Sequence, residues 1–384
     1  MRVLHFYKTS LPDSIGGIEQ VIDQIARGAA SLGVTTDVLS LGKQRVERPM
    51  AINGYHGYRA RLDFEIASTG FSLSAPPLFA RLAKRADLIH YHFPWPFMDL
   101  VHFLSRTRKP TLVTYHSDII RQKNLLKLYR PLERRFLADV DHIVATSPNY
   151  LASSDVLEQY RDKVSVIPIG LDKTSYPAAS PEKLRYWRER IGPKFFLFVG
   201  VIRYYKGLHI LLEAAKGTDL PIVIVGAGPI EAELRDQAAE LGLINIRFLG
   251  RLPEEDKVAL LELSYAVVFP SHLRSEAFGI SLLEGAMYGK PMISSEIGTG
   301  TTFINIAGET GLVVPPNDAD ALRSAMQHLW SHPQEAAAMG RRAEARYWQL
   351  FTAEHMAERY VALYRGCVQA FTEGHPPVGV GEER

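Results

Sequence analysis

Cysteine is nearly absent: Cys367 is the one example in 384 residues. A single thiol excludes a disulfide framework and a thiolate metal site, and it fits a reducing compartment. No apolar run approaches the ~18–20 residues that a membrane-spanning helix needs. The opening MRVLHFY is too short an apolar run for a signal sequence and reads as a strand. The expectation is a cytoplasmic protein, soluble or peripheral at the inner face of the membrane. Excess charge is also scarce, since 44 Lys and Arg against 42 Asp and Glu leave +2, too little to argue for nucleic acid. No His, Cys or carboxylates cluster at metal spacing, and His90 and His92 read as strand-end histidines rather than ligands. G-x-G-x-x-G, G-x-x-x-x-G-K-[ST] and G-x-S-x-G are all missing, which argues against a nicotinamide dehydrogenase, a P-loop enzyme and a serine hydrolase.

What is present is ordinary globular material, 46% apolar and 22% charged, and long enough for two domains. Apolar strands are predicted over 3–7, 37–41, 88–91, 111–115, 142–145 and 164–169, with helical periodicity between them. Residues 49–74 lack a clear period and read as an irregular excursion or a hairpin. The polar segment 171–181 contains two prolines and reads as an interdomain linker. The alternation then restarts, with strands over 195–199, 222–225, 244–249, 266–269, 292–294 and 312–314. Such continuous apolar strands, separated by helices, indicate buried parallel sheets. Helical patterns close the chain over 318–331, 333–350 and 353–372, before a Gly- and Pro-rich tail expected to be disordered. The expected domains are 1–172, 173–350 and a terminal segment 351–384. Residues 1–172 carry 22 cations against 17 anions (+5) and the remainder 22 against 25 (−3).

Several motifs fall at predicted strand ends. Gly16 and Gly17 follow the first strand, where glycine permits close ligand approach, although an ordinary βα turn explains them equally. His116 ends a strand, at the rim where α/β sheets bind ligands. Arg203 and Lys206 lie three apart in a loop entering a helix, where two cations repel unless an anion such as a diphosphate lies between them. Gly226 opens GAGP, a weak signal for which a tight turn is the simpler reading. Glu276 and Glu284 flank the turn Ala277-Phe278-Gly279, with a helix expected from Gly279 or Ile280. Either they are surface carboxylates or they address two ends of one ligand. The segment 121–135 interleaves Arg121, Lys123, Lys127, Arg130, Arg134 and Arg135 with leucines and is interrupted by Pro131. It suits a solvated helix or an anionic membrane surface.

Taken in order, this set resembles the retaining glycosyltransferases of family 4, from Val3 to about Thr372. The resemblance implies the GT-B fold, an α/β architecture of two Rossmann-like doubly wound parallel-sheet domains facing a cleft. The first would bind acceptor, the second nucleotide sugar, and the last helix would cross back to the first. Glu276 and Glu284 match the family's E-x7-E, and Arg203 and Lys206 its diphosphate pair. The resemblance implies that Arg203 and Lys206 neutralise the leaving diphosphate. Glu276 would bind sugar hydroxyls, Glu284 the ribose, and backbone at Phe278, Gly279 and Ile280 the sugar and phosphate. His116 would lie near the sugar and acceptor hydroxyl. Gly16, Gly17 and Gly226 would line the donor. No cofactor and no metal are expected. GTGTTFIN and GETGLVVPP resemble bacterial O-antigen mannosyl- and rhamnosyltransferases, which implies GDP-mannose or another nucleoside-diphosphate sugar as donor. The implied acceptor is a saccharide or a polyprenyl-diphosphate-linked glycan. A UDP-sugar transferase, a GT-B epimerase and a non-catalytic sugar-nucleotide-binding protein remain alternatives.

Overall fold

A computed structural model describes residues 1–14, 16–66, 69–119 and 123–374. The chain forms two compact units, Leu171–Thr352 being one and the flanking segments the other. The first unit contains β1 (Arg2–Phe6), β2 (Thr35–Gly42), β3 (Val46–Ile52), β4 (Tyr55–Arg61), β5 (Phe64–Ile66), β6 (Thr69–Phe71), β7 (Leu88–Phe93), β8 (Thr111–Tyr115), β9 (His142–Ala145) and β10 (Val164–Val166). Eight of these form one sheet in the order β10-β9-β8-β7-β1-β2-β4-β3. It is parallel except for β3, which pairs antiparallel with β4. The second unit contains β11 (Phe196–Val199), β12 (Ile222–Val225), β13 (Ile246–Gly250), β14 (Ala266–Phe269), β15 (Met292–Ser295) and β16 (Gly311–Val314). Its order, β13-β12-β11-β14-β15-β16, is parallel throughout.

The central strands β7, β8, β11, β12 and β14 are buried at every position; β11, β12 and β14 accordingly read as unbroken apolar runs, while β7 and β8 also bury His90, His92, Thr111 and Thr114. Strand order reverses between β1 and β7 in one sheet and between β11 and β14 in the other. Ligands of doubly wound sheets bind outside the carboxyl ends of strands at such points. The helix Ala353–Glu373 belongs to the first unit. It packs on Gly17–Ser31 so closely that a Cβ on Gly28 would lie 2.4 Å from that of Ala357.

The structure corrects three local expectations. The excursion is two hairpins, β3–β4 and β5–β6. The first turns at Asn53-Gly54, both at positive φ (42° and 89°), a strong hairpin signal that sequence reading passed over. Pro131 does not interrupt the basic segment, because the helix Lys123–Asp139 runs through it. The helical stretch expected between the strands at 142–145 and 164–169 is broken into short helices, Pro148–Ser153 and Asp155–Glu158, the second capped by the Ser154 hydroxyl. The expected tail falls almost wholly outside the described residues.

Candidate active site

The loops after β11 and β14, neighbours at the reversal point of the second sheet, bring the main residues together. Lys206 closes the first loop and Glu276 lies in the second. Both are buried, and the Lys206 Nζ pairs directly with Glu276 Oε2, which also accepts from Ser271 Oγ at 3.1 Å. The Glu276 carboxylate is thus an anion beside Lys206 within the protein itself. Arg203 behaves differently. It is exposed, and its guanidinium has no partner among the described residues.

Glu284 lies inside the helix Ile280–Met287 and is buried. Its Oε1 accepts from Lys257 Nζ at 2.7 Å and from the Tyr176 hydroxyl at 3.0 Å. Burial alone would lower the Lys257 pKa, but the carboxylates of Glu284 and Glu254 outweigh it and hold the ammonium above its ordinary range. The hydrogen bonds of Glu276 and Glu284 to side chains fall on one oxygen each, so each keeps a second carboxylate oxygen unclaimed among the described residues. Phe278 is buried, Gly279 caps the helix at φ 102°, and Ile280 and Ser281 begin it, so backbone N–H groups of the first turn are left without intrahelical acceptors.

Gly226 helps to hold the first of these loops in place. At φ 136°, its missing Cβ would fall 1.9 Å from the Gly200 carbonyl oxygen. β12 and its loop hold the β11 loop through Gly200 N to Val225 O and Ile202 N to Ala227 O, both 3.0 Å. In the first unit, Gly16 caps the helix Gly17–Ser31 in an extended conformation. The buried Glu19 carboxylate wraps that cap, at 2.5 Å from where a Gly16 Cβ would sit, and accepts from Ser14 Oγ at 2.8 Å. His116 follows β8, buried, with Nε2 bonded to His92 Nδ1 at 3.0 Å. Burial lowers its pKa to about 3, so the ring is neutral.

Sequence reading missed Lys257 and Tyr176, whose roles depend on tertiary proximity. His272 is buried after β14 with both ring nitrogens unpartnered among the described residues. With Pro270 and Ser271 it flanks Glu276 at the end of a predicted strand, a placement that already favours function in the sequence alone. On the helix Lys123–Asp139, Lys127, Arg130, Arg134 and Arg135 are exposed beside Leu128, itself 81% exposed. Arg121 lies outside the described residues, and of Lys123 only the backbone is described.

A model described as "Glycosyltransferase Family 4" matches residues 15–175, and one described as "Glycosyl transferases group 1" matches 181–346. The D-rhamnosyltransferase WbpZ of Pseudomonas aeruginosa is 66% identical over 353 residues, covering 92% of this chain and 93% of that protein. The chain belongs to this glycosyltransferase family. Another member, the O-antigen chain mannosyltransferase C of Escherichia coli, is 52% identical over 364 residues, covering 95% of this chain and 98% of the relative. Among solved structures, the sucrose-phosphate synthase of Thermosynechococcus elongatus superposes with TM-score 0.79 at 22% identity, covering 97% and 99% of the two chains. WaaG, a glycosyltransferase of lipopolysaccharide biosynthesis, superposes at 0.69 and 16%, covering 95% and 100%. These likenesses establish the GT-B fold for the glycosyltransferase described here. The two relatives named above carry the names of different sugars.

Proposed function

We propose that this glycosyltransferase moves D-rhamnose, or its 6-hydroxy counterpart D-mannose, from a GDP-sugar onto a lipid-linked saccharide during O-antigen synthesis, with retention at the anomeric carbon. The observation that carries the reading is the 66% identity to a D-rhamnosyltransferase across almost the whole of both chains. The mannosyltransferase at 52% keeps the second sugar in play.

The reaction breaks the bond between anomeric carbon and diphosphate and forms one to the acceptor oxygen on the same face, the acceptor's hydroxyl proton passing to the leaving diphosphate oxygen. Negative charge grows on the leaving diphosphate, where fixed cations and helix N–H groups stabilise most. Arg203, exposed and unpaired, supplies one cation. Lys206, held by Glu276, supplies a preorganised second. The first turn of Ile280–Met287 supplies N–H groups. Glu276 uses its unclaimed oxygen on sugar hydroxyls, and Glu284 uses its own on the ribose. Neither carboxylate moves a proton. Lys257 and Tyr176 fix the Glu284 side chain, so little rotamer entropy is lost on binding. His116 hydrogen-bonds the transferred sugar or acceptor hydroxyl, and no metal enters the scheme.

A thermal-shift screen of nucleotide sugars, followed by transfer to a polyprenyl-diphosphate saccharide, tests this. GDP-D-rhamnose or GDP-D-mannose should raise the unfolding temperature and support transfer. Stabilisation only by UDP-sugars, or donor epimerisation without acceptor, overturns it. The exposed Leu128 among cations of helix Lys123–Asp139 further supports contact with an anionic membrane at the cytoplasmic face.

A further inference from the structure

His116 is the end of a buried chain of hydrogen bonds rather than an isolated rim histidine. From His116 the chain runs to His92 (3.0 Å), then from His92 Nε2 to His5 Nδ1 (3.0 Å). His5 Nε2 faces the Tyr364 hydroxyl at 3.4 Å, which also meets His90 Nδ1 at 2.7 Å. His90 Nε2 contacts Thr114 Oγ1 at 2.7 Å, and that hydroxyl contacts the Tyr360 hydroxyl at 2.8 Å. Everything in it lies in the first unit, and both tyrosines come from the helix Ala353–Glu373.

Two readings of four clustered histidines compete. One is a metal site, since ligand atoms of His5, His90 and His92 lie within 4.8 Å of one another. The rings oppose it. His90 and His92 stack at 26°, so their in-plane lone pairs do not converge on one ion. All six ring nitrogens of the three already have partners.

The other reading follows from counting protons. A neutral imidazole donates once and accepts once, and a hydroxyl donates once. Burial lowers the pKa of His5 to about 3 and those of His90 and His92 well below normal, so all are neutral. Tyr360 is buried, and its hydroxyl has one partner, Thr114 Oγ1. A buried donor without an acceptor costs about 1–3 kcal/mol, so Tyr360 donates to Thr114. Thr114 then donates to His90 Nε2, which puts the His90 proton on Nδ1, facing Tyr364. Tyr364 donates to His5 Nε2, His5 Nδ1 donates to His92, and His92 Nδ1 donates to His116 Nε2. The His116 proton is left on Nδ1, the nitrogen without a partner among the described residues.

We propose that Tyr360 and Tyr364 are positioning residues: through this one-way chain they hold His116 in its Nδ1–H tautomer, so that it meets its ligand as a hydrogen-bond donor and not as a base. The catalytic half of the proposal rests on the glycosyltransferase reading of His116, while the tautomer does not.

The test is NMR of the full chain labelled with 15N-histidine, with the His116 signals identified by their loss in His116→Gln. A neutral ring protonated on Nδ1 at pH 7 is expected, and an Nε2–H ring or an imidazolium overturns the proposal. Tyr364→Phe, with its unfolding temperature checked, should turn the single His116 tautomer into a mixture and lower kcat/KM about two- to tenfold, the range of one net hydrogen bond. An unchanged His116 spectrum in the folded variant overturns it. If that variant does not fold, Thr114→Val should lose the single tautomer and Thr114→Ser should keep it, and a Val spectrum like wild type overturns the chain. Stoichiometric metal in the purified protein by elemental analysis also overturns it. If the tautomer is as expected while no nucleotide sugar binds, the chain stands and the donor reading falls.

Discussion

Lys206 and Arg203 sit three residues apart and should respond to mutation in different ways, because one is buried and paired and the other is exposed. Lys206→Ala leaves Glu276 as an uncompensated buried carboxylate, which costs about 3–5 kcal/mol in fully buried pairs. It should therefore lower both the unfolding temperature and nucleotide affinity. Arg203→Ala removes an exposed side chain without partners and should weaken GDP binding about tenfold, by isothermal titration, with little change in melting. Equal melting losses would contradict the burial difference. The same pair makes Glu276→Gln a cleaner probe than Glu276→Ala, because the amide can still accept from Lys206. Loss of transfer is expected in the folded Gln variant. The buried histidines set the response to acid. His5 and His116 fall from an ordinary 6.5 to about 3 in the folded state. Above about pH 6.5 neither state is protonated. Between about pH 6.5 and 3 the unfolded chain binds protons that the folded one refuses, so stability declines as pH falls, by up to about 1.4 kcal/mol per pH unit for each ring. A flat melting temperature from pH 7 to 4.5 would contradict this.

At the scale of elements, the loop after β11 depends on the loop after β12. Gly226→Ala combines positive φ with a clash against the Gly200 carbonyl, and should cost about 3 kcal/mol or more. Because Gly200 begins the loop that carries Arg203 and Lys206, nucleotide affinity should fall as well. Melting and titration together separate this from a purely local loss. The helix Lys123–Asp139 makes an independent prediction. Reversing Lys127, Arg130 and Arg134 to Glu should reduce sedimentation with anionic liposomes severalfold and leave binding to neutral ones unchanged, each cation contributing about 1 kcal/mol. Indifference to lipid charge would leave a solvated helix.

At the scale of the whole molecule, both sheets were legible because parallel strands buried on two faces announce themselves as apolar runs between helices. Glu276, Lys206 and His116 were legible because they sit at strand ends in a recurring order. What escaped was contact between distant segments. Nothing in the linker marks Tyr176 as a partner of Glu284, and Lys257 lies on a different helix. The histidine chain left a trace that was passed over: His90 and His92 share one face of a strand by their spacing of two, and Tyr360 and Tyr364 share one face of a helix by their spacing of four.

The placement of the helix Ala353–Glu373 also orders events on the ribosome. Domains generally fold as units, in the sequence of their synthesis. Here the unit that contains β1 lacks a packed helix, and the hydroxyls of Tyr360 and Tyr364, until Leu171–Thr352 has been made. The unit encoded in the middle, Leu171–Thr352, is covalently complete first. The unit begun earliest is the last that can be finished, so a growing chain contains all of Leu171–Thr352 before His116 can have its full chain of hydrogen bonds.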